Sequence, residues 1–248
     1  MDMFSVEHLA DIFNLPIEVV SALSKEELSL LNESANKKVN FQKETIRLIE
    51  NEYLTKGKIT NTTIHNVMCR TGNYEKYNMF MWIYNSYPMT EAALRNGFRE
   101  AWTMGRCDDY CEAWDIFNRI GLESILSTKE KALYDKLPQV VTIYRGGHKD
   151  EAIRDKETFD FSWTISREVA EFFAFRGVHF NAEDGRVYSV RIRKSNMMAL
   201  ILDRGEYEVI HPSIYRSRKS FKIVTDKPTE YFTKYMNSRD ERLNKLIG

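Results

Sequence analysis

The fold is decided by the stretch Pro138-Gln139-Val140-Val141-Thr142-Ile143-Tyr144-Arg145-Gly146-Gly147. Its centre is β-branched and aromatic, which predicts a strand, and its two glycines predict a turn. Before it the apolar residues have helical spacing, and after it come short runs typical of strands. We therefore expect an α+β fold, with a helical region over residues 1–137 and a mixed module with several strands over residues 138–248.

Helix signals dominate the first 137 residues. Ser24 with Glu27, and Ser127 with Glu130, form capping boxes, which predict the starts of two helices. Gly57 follows a periodic segment and predicts the end of a helix. Further helical segments are expected over residues 4–14, 41–56, 77–84, 90–104 and 110–120.

Strand signals dominate the remainder of the chain. We expect strands over residues 140–144, 158–163, 186–193, 197–202, 207–210 and 221–225. Within the third of these, Tyr188, Val190 and Ile192 alternate with more polar positions, as in a half-buried antiparallel strand. One helix interrupts the series, with Ser166 as its N-cap and Gly177 at its end.

Composition excludes several classes of protein. The 248 residues are 43% hydrophobic and 29% charged, which is typical of a folded globular chain. Basic and acidic residues balance at 36 each, but residues 141–248 contain 20 Lys and Arg against 16 Asp and Glu. No apolar run of membrane-spanning length and no secretory leader is recognised, and the three cysteines are an odd number. We expect a cytoplasmic protein with reduced thiols and neither a membrane partner nor a metal.

The first motif that indicates chemistry is Arg145 followed by Gly146 and Gly147. The planar guanidinium is suited to phosphate, and glycines allow a ligand to approach the backbone. The pattern therefore predicts a diphosphate clamp at the end of a strand. A strand-terminating turn with an exposed arginine explains it equally well.

Two further motifs follow. In the triplet Ser162-Trp163-Thr164, strand alternation places both hydroxyls on one face and the indole on the other. After a glycine turn, Glu206 and Glu208 are expected on one face of a strand, an arrangement that indicates acid/base or cation-stabilising work. Taken singly, each motif is also explained by an ordinary solvated strand.

Together the three motifs resemble the Arg, Ser-x-Ser/Thr and Glu-x-Glu signature of the mono-ADP-ribosyltransferases of the cholera-toxin-like branch. The helix over residues 167–176 and the turn over residues 205–210 are similar to those of phage and bacterial members. The resemblance covers roughly residues 138–225. Trp163-Thr164 stands where many members have Thr-Ser, and the helical front half matches nothing in the family.

This resemblance implies a module of two packed β-sheets that uses NAD as substrate and no metal. It assigns catalytic roles to Glu208, Glu206 and Ser162. Glu208 would contact the 2′-hydroxyl of the nicotinamide ribose, while Ser162 and Thr164 orient that carboxylate and the ribose. The transition state of nicotinamide cleavage resembles an oxocarbenium ion, so a carboxylate beside the ribose suits the chemistry.

The resemblance also implies how NAD and the acceptor are held. Arg145 would bind a phosphate, Gly146 would meet the nicotinamide amide through its backbone, and Tyr144 belongs to the same NAD-binding stretch. Glu206 would deprotonate the acceptor, which in the two-glutamate branch is usually protein arginine, and Tyr207 would touch the target.

Three alternatives stay open at this stage. Water could replace the acceptor, which gives an NAD glycohydrolase, or the acceptor could be nucleic acid. An inactive relative that binds a partner through its helical half is the third. Analogy to phage and bacterial effectors extends the expected location to a host cytoplasm.

Other residues give weaker signals. His148 and His211 flank the motifs in sequence, and a single histidine near a loop is more often a surface or core residue than a catalyst. Two basic clusters could engage nucleic acid or the NAD phosphates, or could be solvated strand faces. The clusters are Arg191, Arg193 and Lys194, and Arg216, Arg218 and Lys219.

Overall fold

The computed structural model describes residues 3–13, 15–105, 107, 110–150, 162–177, 181–211 and 222–247. The chain divides into two compact units, Met1–Ala101 and Trp102–Gly248. The change from helix to strand falls near residue 138, as the sequence predicts, but it lies inside the second unit. The last helices of the predicted helical region therefore cluster with the sheet.

The described part of the first unit is helical. Its helices are α1 (Val6–Phe13), α2 (Ile17–Ser21), α3 (Lys25–Lys56), α4 (Asn61–Arg70), α5 (Lys76–Ser86) and α6 (Glu91–Met104). The last residues of α6, from Trp102 to Met104, belong to the second unit. The capping box of Ser24 and Glu27 is present, and Gly57 ends α3 with a φ of 68°. The predicted start at Ser24 and the predicted segment over residues 41–56 thus belong to one helix of 32 residues.

The second unit begins with helices and continues into strands. The helices are α7 (Tyr110–Ile120), α8 (Leu122–Ile125), α9 (Thr128–Lys136), α10 (Arg167–Phe175) and α11 (Glu230–Ile247). The strands are β1 (Val140–His148), β2 (Ser162–Thr164), β3 (Gly185–Arg193), β4 (Ala199–Ile201), β5 (Glu208–Ile210) and β6 (Lys222–Thr225). Residues 158–161 and 221 of the predicted strands lie outside the described residues.

The six strands form one antiparallel sheet in the order β4-β5-β2-β1-β3-β6. This confirms the α+β class, while the two-sheet arrangement stays a prediction. One face carries a core that includes Ile143, Trp163 and Val209, against which Leu133 and Leu137 pack. Apolar burial of this kind is the main stabilising contribution to a sheet with a covered face.

Helix α10 covers part of the other face. Its predicted N-cap is confirmed, because the Ser166 hydroxyl accepts a hydrogen bond from the backbone N–H of Val169. A Cβ at Gly146 of β1 would overlap the carbonyl oxygen of Ala170, and one at Gly185 of β3 would overlap that of Ala174. Both glycines therefore permit close packing of the helix on the sheet.

Helix α11, which the strand and capping signals do not predict, is tied to α10 by a buried carboxylate. Glu171 has no exposed surface, accepts hydrogen bonds from the backbone N–H and hydroxyl of Thr229, and pairs with Arg167 at 3.0 Å. Thr229 immediately precedes α11, so these bonds fix the start of that helix against α10. Within the described residues, no helix has the length and apolar character needed to cross a membrane.

Candidate active site

The sheet brings the three predicted motifs onto neighbouring strands. Strand β2 lies between β1, which carries Arg145, and β5, which carries Glu208. Tyr144 pairs with Thr164, and Thr164 pairs with Glu208. Directly paired residues point to the same face of a sheet, so these three side chains form a row across it.

A hydroxyl on β2 anchors the turn that carries the glutamates. Thr164, which is 6% exposed, donates from Oγ1 to the backbone carbonyl of Glu206 at 2.8 Å. The same oxygen accepts from the backbone N–H of Ser166 at 3.0 Å, and the N–H of Ile165 donates to the carbonyl of Tyr207 at 3.2 Å. The end of β2 is thereby bound to the turn before β5.

That turn has an unusual backbone. Gly205 has a φ of 71°, and Tyr207, with a φ of 50°, is the one non-glycine residue with positive φ in the described part of the chain. A tyrosine in the left-handed region is strained, and such strain tends to occur at functional sites. Tyr207 is also 43% exposed, so this strained position faces solvent.

The turn corrects one sequence prediction. Glu206 and Glu208 were expected on one face of a strand, but β5 begins at Glu208. Glu206 lies in the turn with φ −88° and ψ −12°, and the positive φ of Tyr207 separates the two glutamates. Strand alternation therefore does not relate their side chains. Glu206 is half-buried, whereas Glu208 is 8% exposed.

Glu208 has a partner that the sequence analysis missed. The indole Nε1–H of Trp102 donates to Glu208 Oε1 at 3.1 Å. Trp102 is half-buried and lies edge-on to Phe117, with 5.0 Å between the ring centroids. The two residues are 106 positions apart, and no local pattern signals the contact.

The alternation predicted for the triplet is confirmed in the sheet. Trp163 is 2% exposed within the apolar core, while Thr164 belongs to the row on the opposite face. Ser162 is half-buried and pairs with Ile210. Its hydroxyl therefore shares the face of Thr164, as expected.

The prediction that Arg145 ends a strand is wrong, because β1 continues through Gly146 and Gly147 to His148. Arg145 pairs with Tyr188, a member of the Trp163 core, so alternation assigns it to the face opposite Thr164 and Glu208. Its Nη1 donates to the backbone carbonyl of Ser162 at 2.7 Å. The guanidinium is thus fixed beside Ser162, the first residue of the triplet and of β2. It does not lie in the row that contains Thr164 and Glu208.

The two other residues of β1 that were predicted to bind NAD, Tyr144 and Gly146, pack against helix α10. Tyr144 packs against the cluster of Ala170, Ala174 and Val187 under α10. The Cα of Gly146 faces the backbone of α10. The sequence predicted that a glycine at this position admits a ligand. In the structure, the close approach of α10 is enough to explain why the residue is a glycine.

The histidines differ from each other. The ring of His148 is 3.3 Å from the carboxylate of Asp150 and 3.8 Å from that of Asp184. His211 follows β5, is 2% exposed, and burial lowers its pKa from 6.5 to about 4. His211 is therefore neutral at physiological pH and adds no positive charge beside β5.

One of the basic clusters is partly structural. Lys194 donates from Nζ to the backbone carbonyls of Tyr134 and Leu137 at 3.2 and 3.1 Å, which caps the C-terminus of α9. Arg191 and Arg193 are exposed. The second predicted cluster, residues 216–219, lies outside the described residues.

The arrangement supplies a buried carboxylate, two hydroxyls and a second carboxylate within a unit made of the paired strands β2 and β5 and the turn before β5. Such a unit can stabilise positive charge that develops beside Glu208 and can accept a proton at Glu206. Among the described residues, no group of three or more His, Cys, Asp or Glu side chains is placed to hold a metal ion.

Comparison with known protein families, with curated proteins and with solved structures finds no match to this chain.

Proposed function

We propose that this protein is an NAD-dependent mono-ADP-ribosyltransferase that transfers ADP-ribose to a macromolecular acceptor and releases nicotinamide. The observation that carries the proposal is the pairing of Thr164 with Glu208 on adjacent strands, with the Thr164 hydroxyl bound to the backbone of Glu206. The three motifs are separate in sequence, and this contact unites two of them. The two-sheet module of the superfamily and a cytoplasmic location are further parts of the proposal.

In the proposed reaction, the bond between the nicotinamide nitrogen and ribose C1′ breaks first. Nicotinamide leaves with the bonding electron pair, and positive charge develops on the ribose. Glu208 stabilises this charge through the 2′-hydroxyl, and its low exposure of 8% strengthens the electrostatic effect. Thr164 anchors the turn before β5 through its bond to the Glu206 carbonyl, and the proposal has Ser162 and Thr164 orient the carboxylate and the ribose.

The acceptor then attacks C1′ and loses a proton. We assign that proton to Glu206, which lies in the turn beside the exposed Tyr207. A guanidine nitrogen needs such a base because it is a weak nucleophile while protonated. Arginine on a protein surface is therefore the proposed acceptor, and Tyr207 contacts it.

Arg145 is assigned to the NAD diphosphate. Its bond to the Ser162 carbonyl fixes the guanidinium beside the start of β2, on the face opposite Thr164 and Glu208, so this assignment rests on the resemblance and not on the row that contains Glu208.

The decisive test uses NAD labelled in its adenosine part. The purified protein is incubated with this NAD and a cell lysate, and the label is sorted among protein, nucleic acid and free ADP-ribose. We expect label on protein, removable under conditions that cleave arginine linkages, together with equimolar nicotinamide. Label on nucleic acid would identify the other transferase, and free ADP-ribose alone would identify a glycohydrolase. Absence of both nicotinamide release and NAD binding would leave partner binding as the function.

A further inference from the structure

Trp102 lies against the carboxylate on which the proposed reaction depends. Its indole Nε1 is 3.1 Å from Glu208 Oε1, and the carboxylate is 8% exposed. An indole N–H can only donate, and a carboxylate oxygen accepts. Hydrogen bonds from a neutral donor to an ionised acceptor are stronger than those between neutral groups.

The indole is itself held in place. Phe117, which is 1% exposed, meets the Trp102 ring edge-on with 5.0 Å between centroids. Trp102 lies in α6 and Phe117 in α7, so two helices fix the plane of the indole. A donor held in this way fixes the rotation of the carboxylate that it binds.

The opposite side of the glutamate is fixed by the sheet. Glu208 pairs with Thr164 on β2 and with Ile201 on β4, so its backbone is set by strands on both sides. Its backbone position is set by the sheet, and its carboxylate accepts the hydrogen bond from Trp102.

We infer that Trp102 is a positioning residue for Glu208: its indole N–H holds Oε1 and thereby orients the carboxylate toward the 2′-hydroxyl of the nicotinamide ribose. The inference rests on the proposed function and adds to it a residue outside the three motifs. Trp102 acts only through Glu208 and does not itself react.

The test is a double-mutant cycle. Trp102→Phe keeps an aromatic ring against Phe117 and removes the N–H. We expect kcat for nicotinamide release to fall by about tenfold to a hundredfold, with KM for NAD within about threefold of wild type. In the Glu208→Gln background the same substitution should change the residual rate by less than about twofold, because the carboxylate is already gone.

Trp82→Phe is the matched control. Trp82 is 38% exposed and packs edge-on against Tyr87 at 5.8 Å, in the first unit. The substitution should leave kcat and KM unchanged. A thermal unfolding curve for each variant checks that the fold persists.

A second measurement needs no substitution of the tryptophan. In a ¹H–¹⁵N spectrum, one of the four tryptophan indole signals should move on Glu208→Gln. Unmoved indole signals would overturn the inference, as would a folded Trp102→Phe protein with wild-type kcat. An equal loss of activity on Trp102→Phe in both backgrounds would also overturn it, since the effect would then not pass through Glu208.

The two proposals fail in different ways. If the wild type releases nicotinamide and Trp102→Phe does so equally well, the proposed function stands and the positioning role is wrong. If the wild type and all variants leave NAD intact, the proposed function is wrong and the positioning role falls with it.

Discussion

Strands β1 and β3 pair along nine residues each, whereas β2, β4 and β5 contain three residues each. The long pair lies beneath α10, with Gly146 and Gly185 in close contact with the helix backbone. The short strands carry Thr164 and Glu208. One half of the sheet is thus held by extended pairing and apolar packing, and the other half has far fewer backbone hydrogen bonds.

In the short-strand half, polar side chains supply additional hydrogen bonds to the backbone. Thr164 binds the carbonyl of Glu206, and Glu130 of α9 accepts from the backbone N–H of Leu202 at 2.8 Å. Glu130 is 1% exposed and also belongs to the capping box of Ser127. These bonds order the turn that carries Glu206 and its junction with β4. Changes in the short-strand half should therefore alter activity, and changes in the long-strand half should alter stability.

The largest expected effect is on activity in the short-strand half. Glu208→Gln keeps the shape of the side chain and removes its charge, so nicotinamide release should fall by about 10²–10³-fold while the unfolding temperature changes little. Steady-state kinetics measure the rate of nicotinamide release, and a thermal unfolding curve measures the unfolding temperature. Glu183→Gln, which changes an exposed carboxylate beside β3, should leave the rate unchanged. A folded Glu208→Gln protein within about threefold of wild type would contradict the catalytic assignment.

The next effect is on stability in the long-strand half. A methyl group at Gly146 meets the backbone of α10, which cannot rotate away as a side chain could. Gly146→Ala should therefore reduce the free energy of unfolding by about 3 kcal/mol, measured by denaturant titration. Gly72→Ala is the control, because the nearest atom to its Cβ is a glutamate oxygen at 3.9 Å. Equal stability of the two variants would show that α10 does not press on β1.

A smaller effect concerns pH and His211, directly after β5. Burial lowers the pKa of His211 from 6.5 to about 4, so the unfolded chain binds a proton more readily than the folded one. Its contribution to stability is full above pH 6.5 and is lost as the pH falls toward 4. At pH 5 the loss amounts to about 2 kcal/mol.

Denaturant titrations at pH 7.5 and pH 5 measure this loss. The pH-dependent difference should shrink by about that amount in His211→Gln. An unchanged pH dependence in His211→Gln would show that this histidine is not the group that titrates.

The long-strand half was largely predictable from sequence, and the reasons are local. Tyr188, Val190 and Ile192 alternate along β3 and are buried as expected, but Val187 and Ser189 are buried too, so this part of the strand is covered on both faces and not half-buried. Ser24, Ser127 and Ser166 cap helices as their spacing predicts. Caps and alternation depend on residues a few positions apart, so a sequence displays them directly.

The site was only partly predictable. The faces of Thr164 and Trp163 follow from alternation, and the structure confirms them. Glu206 was placed wrongly because the turn at Gly205 extends through Tyr207, and a positive φ at tyrosine has no sequence signal. Trp102 could not be found because its partner lies 106 residues away, and only the folded chain brings an indole to that carboxylate.

The smallest effect on NAD cleavage is expected at Glu206, and it separates transfer from hydrolysis. In the proposed reaction Glu208 acts on the ribose whatever the acceptor, whereas Glu206 matters where a guanidine must be positioned and lose a proton. The structure gives the two carboxylates different settings, one on a strand and one in a turn. Glu206→Gln should keep hydrolysis of NAD within about threefold of wild type and lose the labelling of protein, while Glu208→Gln loses both.

If Glu206→Gln still labels protein at the wild-type rate, Glu206 is not the base. If it retains labelling of nucleic acid, arginine is not the acceptor, and the exposed Arg191 and Arg193 of β3 become the residues to substitute next.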